Sequence, residues 1–531
     1  MHKLLSTHTL PHHALALLSA EATRSRQQWL ARQLPPNTLI ERAGLCVARW
    51  LLAMAPHAQS VDVLAGRGHN GADALVAARW LHQLGRRVRV YAPAGNPAST
   101  DTSTPAQLMR ATQSAGIAVF MDEISWLRQQ ASGGTADVLL DGLLGIGISR
   151  APTGAVQQAI EWINAQSTPC LAIDIPSGLH PNTGHSPGAA VRAVATLSLL
   201  GVRPGLLTGQ GRALCGEIWW SDLQPPSAAI HPQDAYTPEA CAVLSGDADW
   251  RAWQHLHARR ADEHKGTRGA VLVVGGGTGM HGALWLASAS ALASGAGKVW
   301  ACSLASDTQA PLRPEIMRWA TSINPNDADF AGKVVVAGCG AGTAWLDAPN
   351  PSTHDLTLER LLTQTERLVL DADGLNTVAA RPAWAELLRQ RAAQGKSTVI
   401  TPHPLEAARL LGTSSSAVQA DRLAAAKALC SQLNCTVVLK GSGSIIASPA
   451  RLPYINASGN AALATPGSGD VLAGWLGGLW AQTPHESCDV HRLCMVAAHW
   501  HGRAALGHAG PLRAQDLVEA MAALHQAPAR L

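Results

Sequence analysis

The sequence lacks most of what marks a metalloprotein, a disulfide scaffold or a nucleic-acid binder. Its 10 cysteines include no CxxC pair, the nearest neighbours being Cys430 with Cys435 and Cys488 with Cys494. That excludes the common zinc and redox spacings and points to reduced thiols in a cytoplasmic protein. The 22 histidines include no HExxH, which excludes a helix-borne zinc site. Charged residues make up only 15% of the chain and the formal net charge is +4. With no lysine or arginine run, nucleic acid is not expected as a partner. No uncharged apolar run reaches the ~20 residues a membrane helix needs. The best, Ala283 to Val299, contains Lys298, so no membrane association is expected. The N-terminal stretch interrupts its apolar residues with Ser, Thr, His and Pro, unlike a signal peptide. Phe and Tyr are scarce, 2 and 3 against 17 Trp, and no physical argument gives that skew a role.

What is present is ample core: 531 residues that are 47% hydrophobic, too many for one core and enough for two domains. Pro-rich, aperiodic residues 226–240 read as a linker between domains at 1–225 and 241–531. Thr7 to Trp50 reads as helices. Beyond it, short apolar runs alternate with helical patterns in both halves, which implies an α/β class with parallel sheets and helices on both faces.

Polar residues follow the predicted strands. In the first half, Val61 to Ala65 leads into Gly66-Arg67-Gly68-His69-Asn70-Gly71-Ala72-Asp73. Two further strands end at Asp141 and Asp174, the latter opening Asp174-Ile175-Pro176-Ser177-Gly178. Each Asp alone serves equally as a cap or turn former. In register at the carboxyl ends of a parallel sheet, they and the Asn70 loop would line one crevice, where oxygen ligands could hold a cation without His or Cys. Gly66, Gly68 and Gly71 match GxGxxG, as do Gly277, Gly279 and Gly282. Neither following strand ends in the acid that would hold a ribose, so a nicotinamide dehydrogenase is the weaker reading. Gly395-Lys396-Ser397 and Gly297-Lys298 lack the upstream glycine of a P-loop, with Gln390 and Leu292 in its place.

In the second half, strands end at Asp371-Ala372-Asp373, at Thr401-Pro402-His403-Pro404 and at Lys440-Gly441-Ser442-Gly443-Ser444. Pro466-Gly467-Ser468-Gly469-Asp470 then runs into an apolar helix. Glycines before a helix leave its first N–H groups open to an anion, which the helix dipole also favours. Asp470 either caps that helix or accepts a proton from a hydroxyl beside a bound phosphate. Lys440 and the N–H groups after it could grip nucleotide phosphates. His403 is a core residue, a cap or a ligand contact, flanked by prolines at a strand end.

Together these segments carry a resemblance over nearly the whole chain. The second half, through Gly279–Ala283, Leu370–Asn376, Thr401–Pro404, Lys440-Gly441 and Asn456–Gly474, resembles the ADP/ATP-dependent NAD(P)H-hydrate dehydratase branch of the ribokinase-like fold. The first half, through Asn70–Asp73, Asp141–Arg150 and Asp174–Gly178, is similar to the NAD(P)H-hydrate epimerase domain. The resemblance implies a Rossmann-like three-layer αβα domain followed by a ribokinase-like αβα domain, in a bifunctional repair enzyme. Its first half would interconvert the R and S forms of nicotinamide hydrated at C6. Its second would dehydrate the S form with ADP and Mg2+, giving AMP and phosphate. A homo-oligomer is expected.

Carried over, Asn70, Asp141 and Ser177 would bind K+. His69, Asn70, Gly71, Ala72 and Asp73, then Gly145, Ile146, Gly147, Ile148, Ser149, Arg150 and Ala151, with Asp174, would contact the hydrate in the epimerase. Ala283, Gly342, His403 and Asp470 would contact it in the dehydratase. Lys440, Gly441, Ser442, Gly443, Ser444 and Gly469 would hold ADP or AMP. Asp470 and Asp174 would be the catalytic proton-transfer groups. The family's usual Asn-Asn-Gly-Gly-Asp-Gly loop is here His69–Ala74, with Ala72 and Ala74 in place of glycine. An alanine restricts the backbone angles open to glycine and adds a methyl where a phosphate approaches. These alanines favour the rival reading, a ribokinase-like small-molecule kinase with a non-catalytic first half.

Overall fold

The computed structural model describes residues 1–5, 12–93, 95, 100–224, 239–258, 260–305, 313–319, 330–346, 356–484, 488–508 and 510–526. Residues 226–238 of the expected linker lie outside the described residues. The chain divides into two compact units, Met1–Leu10 with Ala16–Ala242 and Pro11–Leu15 with Val243–Leu531.

The first unit is built on strands β1 (His2–Leu5), β2 (Ser60–Ala65), β3 (Arg87–Tyr91), β4 (Ala118–Phe120), β5 (Val138–Gly142), β6 (Cys170–Ile173), β7 (Ala195–Leu199) and β8 (Glu217–Ser221). They lie in the order β4-β3-β2-β5-β6-β7-β8-β1, all parallel except β1 on β8. The central strands are apolar on both faces because helices cover both; Val61, Val63, Leu64, Leu140, Leu171 and Leu197 are all buried. Strand order reverses between β2 and β5, so the chain leaves these neighbours in opposite directions and opens a crevice at their carboxyl ends.

The sequence expectation of helices from Thr7 to Trp50 holds for Ala20–Gln33 and Thr38–Met54 and fails at Leu15–Leu18, which is a strand. Leu-Ala-Leu-Leu has helical propensity, but Leu18 N donates to Val202 O at 2.9 Å and Leu17 bridges Val202. Backbone pairing overrides a weak local preference there.

In the second unit, β9 (Ala270–Gly275), β10 (Lys298–Ser303), β11 (Met317–Arg318), β12 (Lys333–Ala337), β13 (Arg367–Leu370), β14 (Ser397–Ile400), β15 (Thr436–Leu439), β16 (Ser444–Ala447) and β17 (Tyr454–Asn456) follow the order β11-β10-β9-β12-β13-β14-β15-β16-β17, and the sheet continues past β17 with the parallel strand Ala240–Leu244. Pairing is parallel from β11 to β15, then antiparallel for β16 and β17. Here the order reverses between β9 and β12. The helix Ser468–Ala481 crosses this sheet and packs on helix His281–Ala293. Their closest approach depends on Gly474, where a Cβ would stand 2.0 Å from the Ala287 carbonyl oxygen. Gly474→Ala is therefore expected to lower the stability of this unit by about 3 kcal/mol, the upper range for an overpacked core. Urea unfolding of the full chain checks it. Among the described residues no helix is long and apolar enough to cross a membrane.

Two strand-end crevices as candidate active sites

In the first unit, helix His69–Gln83 starts directly after the β2 turn, with Gly68 as N-cap. Asn70 and Asp73 thus sit in its first turns, three residues apart on one face, and not in a loop as the sequence suggested. The chain can turn this tightly because Gly71 lies against Gly66, where a Cβ would stand 1.8 Å from the Gly66 carbonyl oxygen. Asp141 lies inside β5, one residue before its end, paired across to Leu64.

The two elements meet at an oxygen cluster. Asp141 is fully buried; its carboxylate accepts from Ser177 Oγ at 2.6 Å, Ser177 N at 2.8 Å and Leu143 N at 3.1 Å. Burial still pushes it up to about 6 against the lowering effect of those bonds. Ser177 Oγ in turn accepts from Leu144 N at 2.8 Å. Asn70 Nδ2 donates to Leu144 O at 2.8 Å, while Asn70 Oδ1 is buried with no hydrogen-bond partner among the described residues. An orphaned buried carbonyl is costly; beside a buried carboxylate, a hydroxyl and a backbone carbonyl, it completes a donor set that suits a hard cation.

The adjoining cavity measures about 790 Å³, large enough for a dinucleotide. His69, Asn70, Asp73, Gly145, Ile146, Gly147, Ile148 and Asp174 all line it. Gly71 and Ala72 lie behind its wall, and Ser149, Arg150 and Ala151 stand outside it. The opposite wall comes from helix Ala20–Gln33 through Arg24, Gln27 and Gln28, with Arg24 Nη2 donating to Ile146 O at 3.1 Å. Asp174 follows β6 in a left-handed conformation, φ 65°. It is held there by Arg203, fully buried, which donates to both the Asp174 carboxylate and its backbone carbonyl. Leu199 N also donates to Asp174 Oδ1, at 3.0 Å. Nothing in the local sequence around Arg203 signals this role. Asp73 differs: burial pushes it well above the usual carboxylate range, and the Asp174 charge adds to that.

In the second unit the glycine turn behaves as its sequence suggests. Gly467, φ 87°, is the N-cap and Asp470 the third residue of helix Ser468–Ala481. Asp470, Asp371 and Cys339 bring their side-chain donor atoms within 4.8 Å of one another. Burial raises Asp470 to about 6, with the Asp371 charge next in effect and the Cys339 thiol opposing it. Lys440 Nζ binds Asp371 Oδ1 at 2.6 Å, and a Cβ on Gly469 would stand 3.2 Å from that Nζ. Gly469, Lys440 and Asp371 therefore meet at the helix start. Gly342 N donates to Asp373 Oδ2 at 2.8 Å. Ala283 adjoins this turn, since a Cβ on Gly340 would lie 2.8 Å from the Ala283 Cβ. His501, driven down to about 4 by burial, puts Nε2 3.0 Å from Ser468 O and braces the turn as a neutral donor.

His403 is the N-cap of helix Pro404–Leu411. Its Nδ1 accepts from Leu405 N at 3.1 Å and Glu406 N at 3.3 Å, and Glu406 returns the bond to His403 N. The ring is 46% exposed, so it caps the helix while showing a face to solvent. In the sequence Asp371 is simply a polar strand end and Cys339 carries no signal; only folding brings them to Asp470.

Each unit thus places carboxylates, backbone N–H groups and glycine turns at a strand-order reversal. This defines a two-site α/β enzyme for phosphorylated ligands. Residues 36–205 match the family model described as YjeF-related protein N-terminus, and residues 271–521 that described as NAD(P)H-hydrate dehydratase. The bifunctional NAD(P)H-hydrate repair enzyme of Escherichia coli (strain K12) is 33% identical over 456 residues, covering 85% of this chain and 82% of the relative. That of Leishmania braziliensis is 34% identical over 492 residues, 88% and 84%. A solved ADP/ATP-dependent NAD(P)H-hydrate dehydratase of Bacillus subtilis is 27% identical, with TM-score 0.39 over 51% of this chain and 94% of that one. The chain belongs to the bifunctional NAD(P)H-hydrate repair enzymes, with an epimerase domain and an ADP-dependent dehydratase domain.

Proposed function

We propose that the second site uses Asp470 as the base that frees the C6 hydroxyl of the S hydrate for attack on the terminal phosphate of ADP. The convergence of Asp470, Asp371 and Lys440 at one helix N-terminus carries this reading. Hydroxide is a poor leaving group; once phosphorylated, the oxygen departs as phosphate while the ring nitrogen lone pair forms a C6–N double bond, and loss of a C5 proton to solvent returns that pair to nitrogen and forms the C5–C6 double bond of NAD(P)H. Lys440, oriented by Asp371, offsets phosphate charge, and the N–H groups of the glycine turn stabilise the transferring phosphoryl group. Mg2+ would enter on the nucleotide oxygens, and the hard carboxylates of Asp371 and Asp373 suit it. Gly441, Ser442, Gly443 and Ser444 would hold the nucleotide beside Lys440, with Ala283, Gly342 and the exposed face of His403 toward the hydrate.

In the first site, Asn70, Asp141 and Ser177 would hold K+, which supplies a fixed positive charge beside the phosphorylated ligand. Asp174 would be the proton-transfer group at the epimerising carbon, accepting a proton from the oxygen bound there. The domain limits 1–225 and 241–531 belong to this reading, as do a homo-oligomeric state and a cytoplasmic setting, the latter in keeping with 10 free thiols.

The test is recovery of reduced-nicotinamide absorbance from mixed R and S NADH hydrates with ADP, Mg2+ and K+. Recovery beyond the S fraction, faster than spontaneous epimerisation, is expected. Recovery that stops at the S fraction would sink the first-site assignment, and none at all the second. Ala72 and Ala74 lie fully buried in a helix without positive φ, and neither lines the cavity. Changing both to Gly is therefore expected to leave R-hydrate turnover within about twofold while weakening the helix by about 0.5–1 kcal/mol per site, read from thermal melts.

A further inference from the structure

Asp73 and Asp174 line one cavity from different elements, yet their surroundings are opposed. Asp174 accepts from the buried Arg203 guanidinium and from Leu199 N, as a carboxylate does. Asp73 is partly buried and meets no donor among the described residues; the influences on it are burial and the Asp174 charge. Among the described residues, the other charged or titratable groups on this cavity are Arg67 and His69, from its own turn, and Arg24, from helix Ala20–Gln33. Arg24 donates to Ile146 O. A carboxylate facing an anionic dinucleotide repels phosphate, and a plain phosphate-binding turn has no use for one. Two carboxyl groups on one cavity, one held by donors and one without them, divide naturally into acid and base.

We propose that Asp73 is a second catalytic residue of the epimerase, the proton donor that expels the C6 hydroxyl as water before water returns on the other face. This rests on the reading of Asp174 as the proton acceptor. The ring nitrogen lone pair forms a C6–N double bond as the C6–O bond breaks, and the hydroxyl leaves with the Asp73 proton. C6 is then planar. A water adds to the opposite face, the double-bond electrons return to nitrogen, and the water's proton goes to Asp174. That proton passes back to Asp73, so each cycle consumes nothing.

The full-length protein is incubated with pure R hydrate and K+ in ¹⁸O-water without ADP, and the S product is separated and weighed by mass spectrometry. One ¹⁸O per epimerisation is expected. An S product that keeps its original oxygen would mean that the ring opens at the C6–N bond instead, overturning the donor role. Asp73→Asn is expected to lower kcat by about 10²–10⁴-fold with KM within about threefold. A raised KM with kcat intact would make Asp73 a binding residue only. Wild-type resistance of residues 36–205 to proteolysis shows that the variant folds; if it does not fold, the isotope result on the unaltered protein still decides. Asp174→Asn, which keeps the left-handed backbone, separates the two assignments. Full activity in that variant removes Asp174 as acceptor whatever Asp73→Asn does.

Discussion

Asp470→Asn is expected to lower kcat for ADP-dependent dehydration by about 10²–10⁴-fold, with little change in ADP affinity. The side chain is third in helix Ser468–Ala481, beside Lys440 and Asp371, so its loss removes a proton acceptor and leaves the phosphate-binding turn intact. Burial and the neighbouring Asp371 charge hold Asp470 at about 6. Only the ionised form accepts a proton, so kcat should fall tenfold per pH unit below about pH 6 and be flat above it. Cys339 opposes the shift as a donor to Asp470; Cys339→Ala should move the acid limb to higher pH. The same geometry gives a stability signature. A carboxyl whose folded-state value is raised favours folding below its unfolded value, and that contribution is lost as pH rises through about 6. Asp470→Asn should therefore melt higher than the unaltered protein above pH 6 and differ little near pH 4. An inactive variant that also melts lower at pH 7.5 would mean that Asp470 serves the fold and not the proton transfer.

Strand–helix alternation gave both sheets from apolar runs alone, because strands covered on both faces need no polar alternation. Asp141, Asp174 and the Asn70 turn could be placed at one rim for a related reason: chain order and parallel pairing put strand ends in register. The partners of these residues could not be read. Arg203 reaches Asp174 only after β7 returns beside β6. Asp371 and Lys440 are 69 residues apart and meet across two intervening strand pairings. Helix Ala20–Gln33 is mostly polar, and its sequence does not say that it walls a cavity. The alanines at 72 and 74 show the converse error. A sequence motif suggested lost glycine freedom, yet both positions are ordinary helix in which an alanine is the better residue. At Gly71 and Gly66 the glycine is indispensable, since a Cβ at either would stand 1.8 Å from a backbone oxygen.

Removing potassium is expected to reduce R-hydrate epimerisation at least tenfold and to leave dehydration of pure S hydrate unchanged. The asymmetry follows from where the oxygen donors lie. In the first unit, Asn70 Oδ1 is buried without a partner among the described residues, and Asn70 is linked through Leu144 to Ser177 and the buried Asp141 carboxylate. In the second, the acidic cluster already has its cation in Lys440. A bound ion would satisfy Asn70 and fix the turn that starts helix His69–Gln83, and with it Asp73. Because the ion binds the folded unit alone, potassium at 100 times its dissociation constant should stabilise that unit by about 2.7 kcal/mol, visible as a higher melting temperature than in tetramethylammonium. Asn70→Ala deletes the orphaned oxygen together with the 2.8 Å bond to Leu144 O. It should abolish the potassium-dependent shift along with most epimerase activity. A melting temperature that responds equally to both cations, in a variant that still epimerises at the normal rate, would leave Asn70 as a packing residue and the cluster without an ion.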